Sequence, residues 1–232
     1  MLEEVLRGGF AALGLPLDGT ALSRYRLYAD VLSETNRVMN LTAIEGEDEI
    51  ARLHFLDSLA LLRLADFREK RVLDVGCGAG FPGVPLLLGE PSVRLSLLDS
   101  TAKRMQWLSD ELLPALGLTA ECLTGRAEEL IEGRREAFDL CVSRAVARLN
   151  VLCELCLPYV RVGGSFLAMK GPAAADELAE AEKAIRILGG RLREIAEYPL
   201  GDAVHRVVVI DKVQKTPAKY PRRYAKIKQQ PL

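Results

Sequence analysis

The sequence has no long apolar run: none of its 232 residues belongs to a stretch approaching the roughly 18 consecutive apolar residues that a membrane-spanning helix needs. The start of the chain, Met1 to Glu4, is acidic and precedes an amphipathic pattern, unlike a secretory signal peptide. We therefore expect a cytoplasmic protein without a membrane partner.

Histidine is scarce, with two residues, and the cysteine count of five is odd. Unpaired cysteines in mostly apolar segments are typical of buried thiols in a reducing compartment. Cys153 and Cys156 have the spacing of a zinc-ligand pair, but no second pair lies near them. We expect no metal site.

Acidic residues are missing from the end of the chain. Residues 212–232 contain seven Lys or Arg and no acid, which leaves 24 basic and 32 acidic groups, a formal charge of −8, in the first 211 residues. A basic run at a terminus either contacts polyanions or is a solvated tail, and the charge alone leaves both possibilities open.

Apolar residues recur at helical spacing over residues 2–14, 20–38 and 47–64, so the chain opens with a helical segment. From residue 71 the pattern alternates between strands and helices, which predicts a parallel sheet covered on both faces. The predicted strands are 71–75, 93–98, 119–123, 138–142 and 164–169, and the predicted helices are 82–89, 101–116, 126–131, 147–160 and 173–188.

Two further strands, 191–198 and 204–211, are separated by five residues. Such a connection is too short for a parallel crossover, so the terminal strand must run antiparallel to its neighbour. The predicted fold is α/β: a Rossmann-like, mostly parallel seven-stranded sheet with an antiparallel terminal strand, preceded by a helical segment.

A glycine-rich turn follows the first strand, with glycines at 76, 78, 80 and 83 before the start of a helix. Glycine permits positive φ and close approach of a ligand to the backbone, and a helix start presents free N–H groups. The turn therefore indicates a nucleotide-like cofactor.

The turn matches G-x-G-x-x-G, and Asp99 follows at the end of the second strand, so NAD has to be considered. Asp99 can accept ribose hydroxyls from either cofactor. The predicted terminal hairpin, and Asp74 two residues before Gly76, favour S-adenosylmethionine. Asp74 either orients the loop amides or contacts the cofactor.

The assembled segments resemble the bacterial small-subunit 16S rRNA guanine-N7 methyltransferases, the RsmG family, also called glucose-inhibited division protein B. The resemblance spans nearly the whole chain. It rests on residues 40–44, His54 with 57–59, 74–83, 97–100 with 103–104, 125–128, 143–147, 170–171 and 220–223.

This resemblance implies a class I S-adenosylmethionine-dependent methyltransferase acting on 16S rRNA or the small ribosomal subunit. The implied cofactor-binding residues are Gly76, Phe81, Ala127, Glu128 and Arg144, to which the residues themselves add Asp99, with Asp74, Gly78 and Gly80 near the site. Arg144, Asn40 and Lys170 are candidate positioning residues. No general base is required, because guanine N7 carries a free lone pair.

Three parts of the chain are expected: a helical segment capping the site at 1–66, a methyltransferase domain at 67–213, and a basic tail at 214–232. The tail suits contacts with RNA phosphates. Its candidate residues are Lys215, Lys219, Arg222, Arg223, Lys226 and Lys228. Its deletion is expected to weaken RNA binding and to spare cofactor binding. The rivals are an NAD-dependent oxidoreductase and a non-enzymatic RNA-binding protein.

Overall fold

The computed structural model describes residues 1–144, 146–201 and 203–232. Ala145, from the motif at 143–147, and Asp202, from the predicted hairpin loop, lie outside the described residues. No helix within these ranges is long and apolar enough to cross a membrane.

Three helical stretches form the first 63 residues. The first two are α1 (Leu2–Leu13) and α2 (Gly19–Met39). The third, α3 (residues 47–63), is α-helical at Glu47–Glu49, π-helical at Ile50–Leu56, α-helical at Asp57–Leu59 and 3-10 at Ala60–Arg63. A π-helical turn is rare and often lies at a functional site. It carries His54 here.

Strands and helices then alternate. They are β1 (Arg71–Val75), α4 (Gly83–Gly89), β2 (Arg94–Asp99), α5 (residues 102–115), β3 (Glu121–Thr124), β4 (Phe138–Arg144), α6 (Leu149–Cys156), β5 (Val160–Lys170), α7 (Ala174–Ile187), β6 (Gly190–Leu200), β7 (Ala203–Lys212) and α8 (Tyr224–Gln229). The seven strands form one sheet in the order β3-β2-β1-β4-β5-β7-β6.

The pairing of β7 confirms the predicted hairpin, since β7 runs antiparallel to both β6 and β5 while β1 to β5 pair in parallel. The predicted helix at 126–131 is wrong, because residues 127–136 form turns. Gly125 and Gly133, with φ of 153° and 72°, bracket this stretch. Only about two helical turns fit between them, too few to offset the cost of nucleating a helix.

Both faces of the sheet are covered, as the apolar strands require. Along β1, Val72 packs in one core with α1, α2, α3 and α5, whereas Leu73 packs in the other with α6, α7 and α8. The helical segment therefore shares a core with the sheet, and it lies on the same face as the helix that follows the glycine loop.

Candidate active site

The glycine loop lies between β1 and α4, at the carboxyl edge of the parallel strands. Gly76, Gly78 and Gly80 have φ of 74°, 56° and 96°, which confirms the need for glycine there. The N–H groups of Gly76 and Cys77 donate to the Leu98 carbonyl at 2.7 and 3.1 Å and fasten the loop to β2.

Asp74 is fully buried beneath this loop, and its Oδ2 accepts the Gly83 N–H at 2.8 Å. A Cβ at Gly83 would approach this oxygen to 2.9 Å, which accounts for the fourth glycine. Burial raises the pKa of Asp74 to about 7. Among the described residues, none bonds to its Oδ1. Orientation of the loop, one of the two roles considered for Asp74, is therefore present.

Asp99 ends β2 and holds the loop from the other side. Its Oδ2 accepts the Gly78 N–H at 3.1 Å, and its Oδ1 accepts the Thr101 N–H at 2.8 Å. Each carboxylate oxygen retains acceptor capacity after one such bond. Asp99 can thus orient the loop and accept hydroxyls of a ligand at once.

A cavity of about 440 Å³, here called the glycine-loop cavity, opens above these groups. Five of the predicted residues line it: Gly76, Gly78, Asp99, Ala127 and Glu128. Burial raises the pKa of Glu128. Other lining residues were not among the predicted ones, notably Arg104, Arg126, Val146 and Tyr224. Asp74, Gly80, Phe81 and Arg144 are absent from the lining.

Phe81 lies instead inside a stack of three rings. Its ring is parallel to Tyr28 at 5.2 Å and to His54 at 4.2 Å between centroids. The Tyr28 hydroxyl donates to the Ala79 carbonyl at 2.6 Å. The helical segment thus fixes the glycine loop through α2 and α3, and Phe81 supports the loop from behind.

Arg144, at the end of β4, is held by α3. Its Nη1 donates to the Leu53 carbonyl at 2.8 Å and to Asp57 Oδ2 at 3.3 Å, and its Nη2 donates to His54 Nδ1 at 2.7 Å. The guanidinium lies 5.0 Å from the Phe81 ring centroid. The polar structural contact predicted for His54 is present, although its partner is Arg144 rather than Asp57.

The tautomer of His54 follows from these contacts. A guanidinium can only donate, so Nδ1 accepts and Nε2 carries the hydrogen, which it donates to Thr42 Oγ1 at 2.8 Å. Burial, assisted by the Arg144 charge, lowers the pKa of His54 to about 3. Thr42 is the member of the 40–44 motif that reaches this network.

Asp57 gathers residues from distant strands. Its Oδ1 accepts the Tyr198 hydroxyl at 2.8 Å and faces His205 Nδ1 at 2.7 Å. The hydrogen bond to Asp57 raises the pKa of His205. Tyr198 on β6 and His205 on β7 were not predicted, because partners more than 140 residues away leave no local pattern.

A second cavity of about 710 Å³, here called the Arg144 cavity, lies beside this network. It is lined by residues of α3, β4, β5, β6 and β7 that include His54, Asp57, Arg144, Lys170, Glu177 and His205. Val146 lines both cavities, so they adjoin. A Cβ at Gly76 would collide with Val146, which brings the loop after β4 against the glycine loop.

Two predicted positioning residues occupy different places. Lys170 lines the Arg144 cavity, where its ammonium donates to the Ala147 carbonyl and pairs with Glu177 Oε2 at 2.8 Å. Asn40 lines neither cavity: it ends α2 with φ of 48° and is exposed. Asparagine tolerates this left-handed position, so its observed role is to cap the helix.

The predicted RNA-binding residues of the tail separate into two groups. Lys215, Lys219, Arg223, Lys226 and Lys228 are exposed. Arg222 turns inward instead, and its Nη2 and Nε pair with the fully buried Glu154 at 2.6 and 2.8 Å. A guanidinium in such a pair is not available to a phosphate, so Arg222 is a structural residue.

Comparison with known proteins defines the class. TrmN from Thermus thermophilus is 25% identical, with a TM-score of 0.55 over 68% of this chain and 48% of that one. Precorrin-6y C5,15-methyltransferase from Geobacter metallireducens, at 14% identity, shares the fold with a TM-score of 0.53 over 75% of this chain and 92% of that one. The fold and the glycine-loop cavity define a class I S-adenosylmethionine-dependent methyltransferase.

The particular family follows from residues 21–202, which match the family described as rRNA small subunit methyltransferase G. Ribosomal RNA small subunit methyltransferase G of Alkaliphilus oremlandii is 42% identical over 236 residues, covering 100% of this chain and 99% of the relative. The protein of the same name from Pelotomaculum thermopropionicum is 44% identical over 239 residues, with the same coverage. The chain belongs to this family.

The glycine-loop cavity fits the cofactor of this class. A Cβ at Gly78 would meet no atom within 4 Å, so there is room against the loop. Asp99 keeps lone pairs for ribose hydroxyls, and the buried Asp74 Oδ1 lacks a partner among the described residues. An ammonium group is a suitable donor to such an oxygen.

Proposed function

We propose that this chain transfers the methyl group of S-adenosylmethionine to N7 of a guanine in 16S rRNA, with the Arg144 cavity receiving the base. The observation that carries the proposal is the shared wall at Val146, which places a second, larger cavity next to the glycine-loop cavity. Methyl transfer needs donor and acceptor in contact, and adjoining cavities meet that need.

The cofactor-binding roles follow the lining of the glycine-loop cavity. Asp99 accepts the ribose hydroxyls, while Ala127 and Glu128, after β3, lie beside the adenine. Gly76 and Gly78 leave space for the remainder. Phe81 acts through the loop that it supports.

S-adenosylmethionine supplies an electrophilic methyl group, and the chemistry asks little of the protein beyond placement. Guanine N7 has a lone pair at neutral pH, so no proton has to be removed. The carboxylates of the Arg144 cavity suit this reaction. Asp57 already accepts from Arg144 and Tyr198, and Glu177 accepts from Lys170 and from the Leu149 N–H.

Arg144 and Lys170 act as positioning residues. Both cations are held by protein partners, so they shape the cavity with little freedom to move. A bidentate grip of Arg144 on O6 and N7 would block the nucleophile. The guanine is therefore recognised by its other edge or by stacking. The exposed cations Lys215, Lys219, Arg223, Lys226 and Lys228 contact RNA phosphates.

One observation favours a second candidate, methylation of an exocyclic amine, which requires loss of a proton. The Asp57 and His205 pair has the arrangement of a carboxylate that orients a general base. The replacement His205→Gln separates the two chemistries. A lost general base costs about 10²- to 10⁴-fold in rate, whereas N7 methylation should retain its kcat within about threefold.

The deciding experiment incubates the protein with labelled S-adenosylmethionine and small ribosomal subunits that lack the modification. N7-methylguanine is then mapped by chemical cleavage of the 16S rRNA strand. Cleavage at one guanine is expected. Label on 16S rRNA without cleavage at any N7-methylguanine would refute the proposed target atom, and label on another RNA alone would refute the proposed acceptor.

A further inference from the structure

The basic tail is folded onto the sheet domain. The Thr216 N–H donates to Glu136 Oε1 at 2.8 Å, and the Arg222 N–H donates to the buried Glu154 at 2.8 Å. Ile227, in α8, is fully buried in the core beside α6 and α7. These contacts hold the tail at a defined place.

That place is the rim of the glycine-loop cavity. Tyr224 is the first residue of α8, and it lines the cavity together with Arg126 and Glu128. The Arg126 guanidinium lies 5.1 Å from the centroid of the Tyr224 ring, within the range of a cation–π contact. The ring is therefore fixed by the turn that follows β3.

The position of this wall indicates which part of the cofactor meets it. Neighbouring strands β1, β2 and β3 end at one edge of the sheet and contribute the glycine loop, Asp99 and residues 125–128 in that order. A ligand whose ribose bonds to Asp99 carries its base toward β3, one strand further out. Tyr224 and Arg126 lie on that side.

We propose that the C-terminal tail completes the cofactor pocket, with Tyr224 as the aromatic wall for the adenine of S-adenosylmethionine. Tyrosine offers a large, rigid face to a base, and arginine across the ring strengthens such contacts. The proposal rests on the cofactor and not on the identity of the acceptor. It reverses the expectation from sequence that loss of the tail spares cofactor binding.

The test titrates S-adenosylhomocysteine into the full chain by isothermal calorimetry, without RNA. Loss of one aromatic–base stack reduces affinity about tenfold, so Tyr224→Ala should raise Kd by that factor. Tyr224→Phe, which keeps the ring, should bind within about twofold of the wild type. Gln229→Ala, an exposed change on the same helix, should leave Kd unaltered.

A second variant acts on the anchor. Arg222→Met removes the pair with Glu154, and it should weaken S-adenosylhomocysteine binding although Arg222 lines no part of the glycine-loop cavity. Circular dichroism of each unliganded variant establishes that it is folded. Wild-type Kd in a folded Tyr224→Ala protein would overturn the proposal. So would an equal loss of affinity in Tyr224→Ala and Tyr224→Phe.

Discussion

Replacing Asp57 with asparagine should destabilise the protein, because this carboxylate joins α3 to three strands of the sheet. The side chain is 6% exposed and that of its partner Arg144 is 16% exposed. Asparagine keeps one acceptor oxygen for Tyr198 or His205, but it leaves the Arg144 cation without a countercharge.

Breaking a buried pair on one side costs about 3 to 5 kcal/mol. Arg144 keeps its bonds to Leu53 and His54 and some contact with water, which reduces the expected loss to about 2 to 3 kcal/mol. For a chain of this size the corresponding drop in Tm is about 4 to 10 °C.

The sole tryptophan, Trp107, is buried and reports unfolding by its fluorescence in urea. Asp30→Asn makes the same charge change at an exposed position and should shift the free energy of unfolding by less than about 0.5 kcal/mol. If Asp57→Asn and Asp30→Asn unfold at the same urea concentration, Asp57 does not join the two parts of the molecule as described.

Three further changes have defined outcomes. His54 has a folded pKa of about 3, below its unfolded value, so its contribution to stability is present above pH 6.5 and is lost as pH falls; His54→Gln should remove about 2 kcal/mol of the loss between pH 8 and pH 5 in urea titrations. Asp74→Asn can still accept the loop N–H and should unfold within about 1 kcal/mol of the wild type at pH 7, whereas Asp74→Ala should lose about 1 to 3 kcal/mol; equal losses would contradict the loop-orienting role. Lys226→Gln with Lys228→Gln should lower the salt dependence of 16S rRNA binding by a slope of about 0.7 per lost phosphate contact in filter binding, and Lys183→Gln, an exposed control, should not.

Features written in neighbouring residues could be predicted from the sequence. Glycine spacing indicated the loop, and the short connection between the last two strands indicated the antiparallel pair. The membership of Gly76, Gly78, Asp99, Ala127 and Glu128 in one cavity follows from the rule that parallel strands end at one edge.

Features that depend on distant partners could not be predicted in this way. His205 and Tyr198 reach Asp57 from strands far along the chain, and apolar periodicity records burial without naming the partner. Charge misled in the tail, because the seven cations have the same composition whether they face water or, like Arg222, a buried carboxylate. Phe81 and Arg144 were expected at the cofactor and instead support the loop from behind.

The strand order has a consequence for how the chain is made. The last strand synthesised, β7, lies between β5 and β6, and in the described sheet it is the sole neighbour of β6. A growing chain that ends before Ala203 therefore carries two unpaired strand edges, one on β5 and one on β6, of the kind that promotes association between chains. The sheet closes only when synthesis is nearly complete, so residues 203–212 complete the fold.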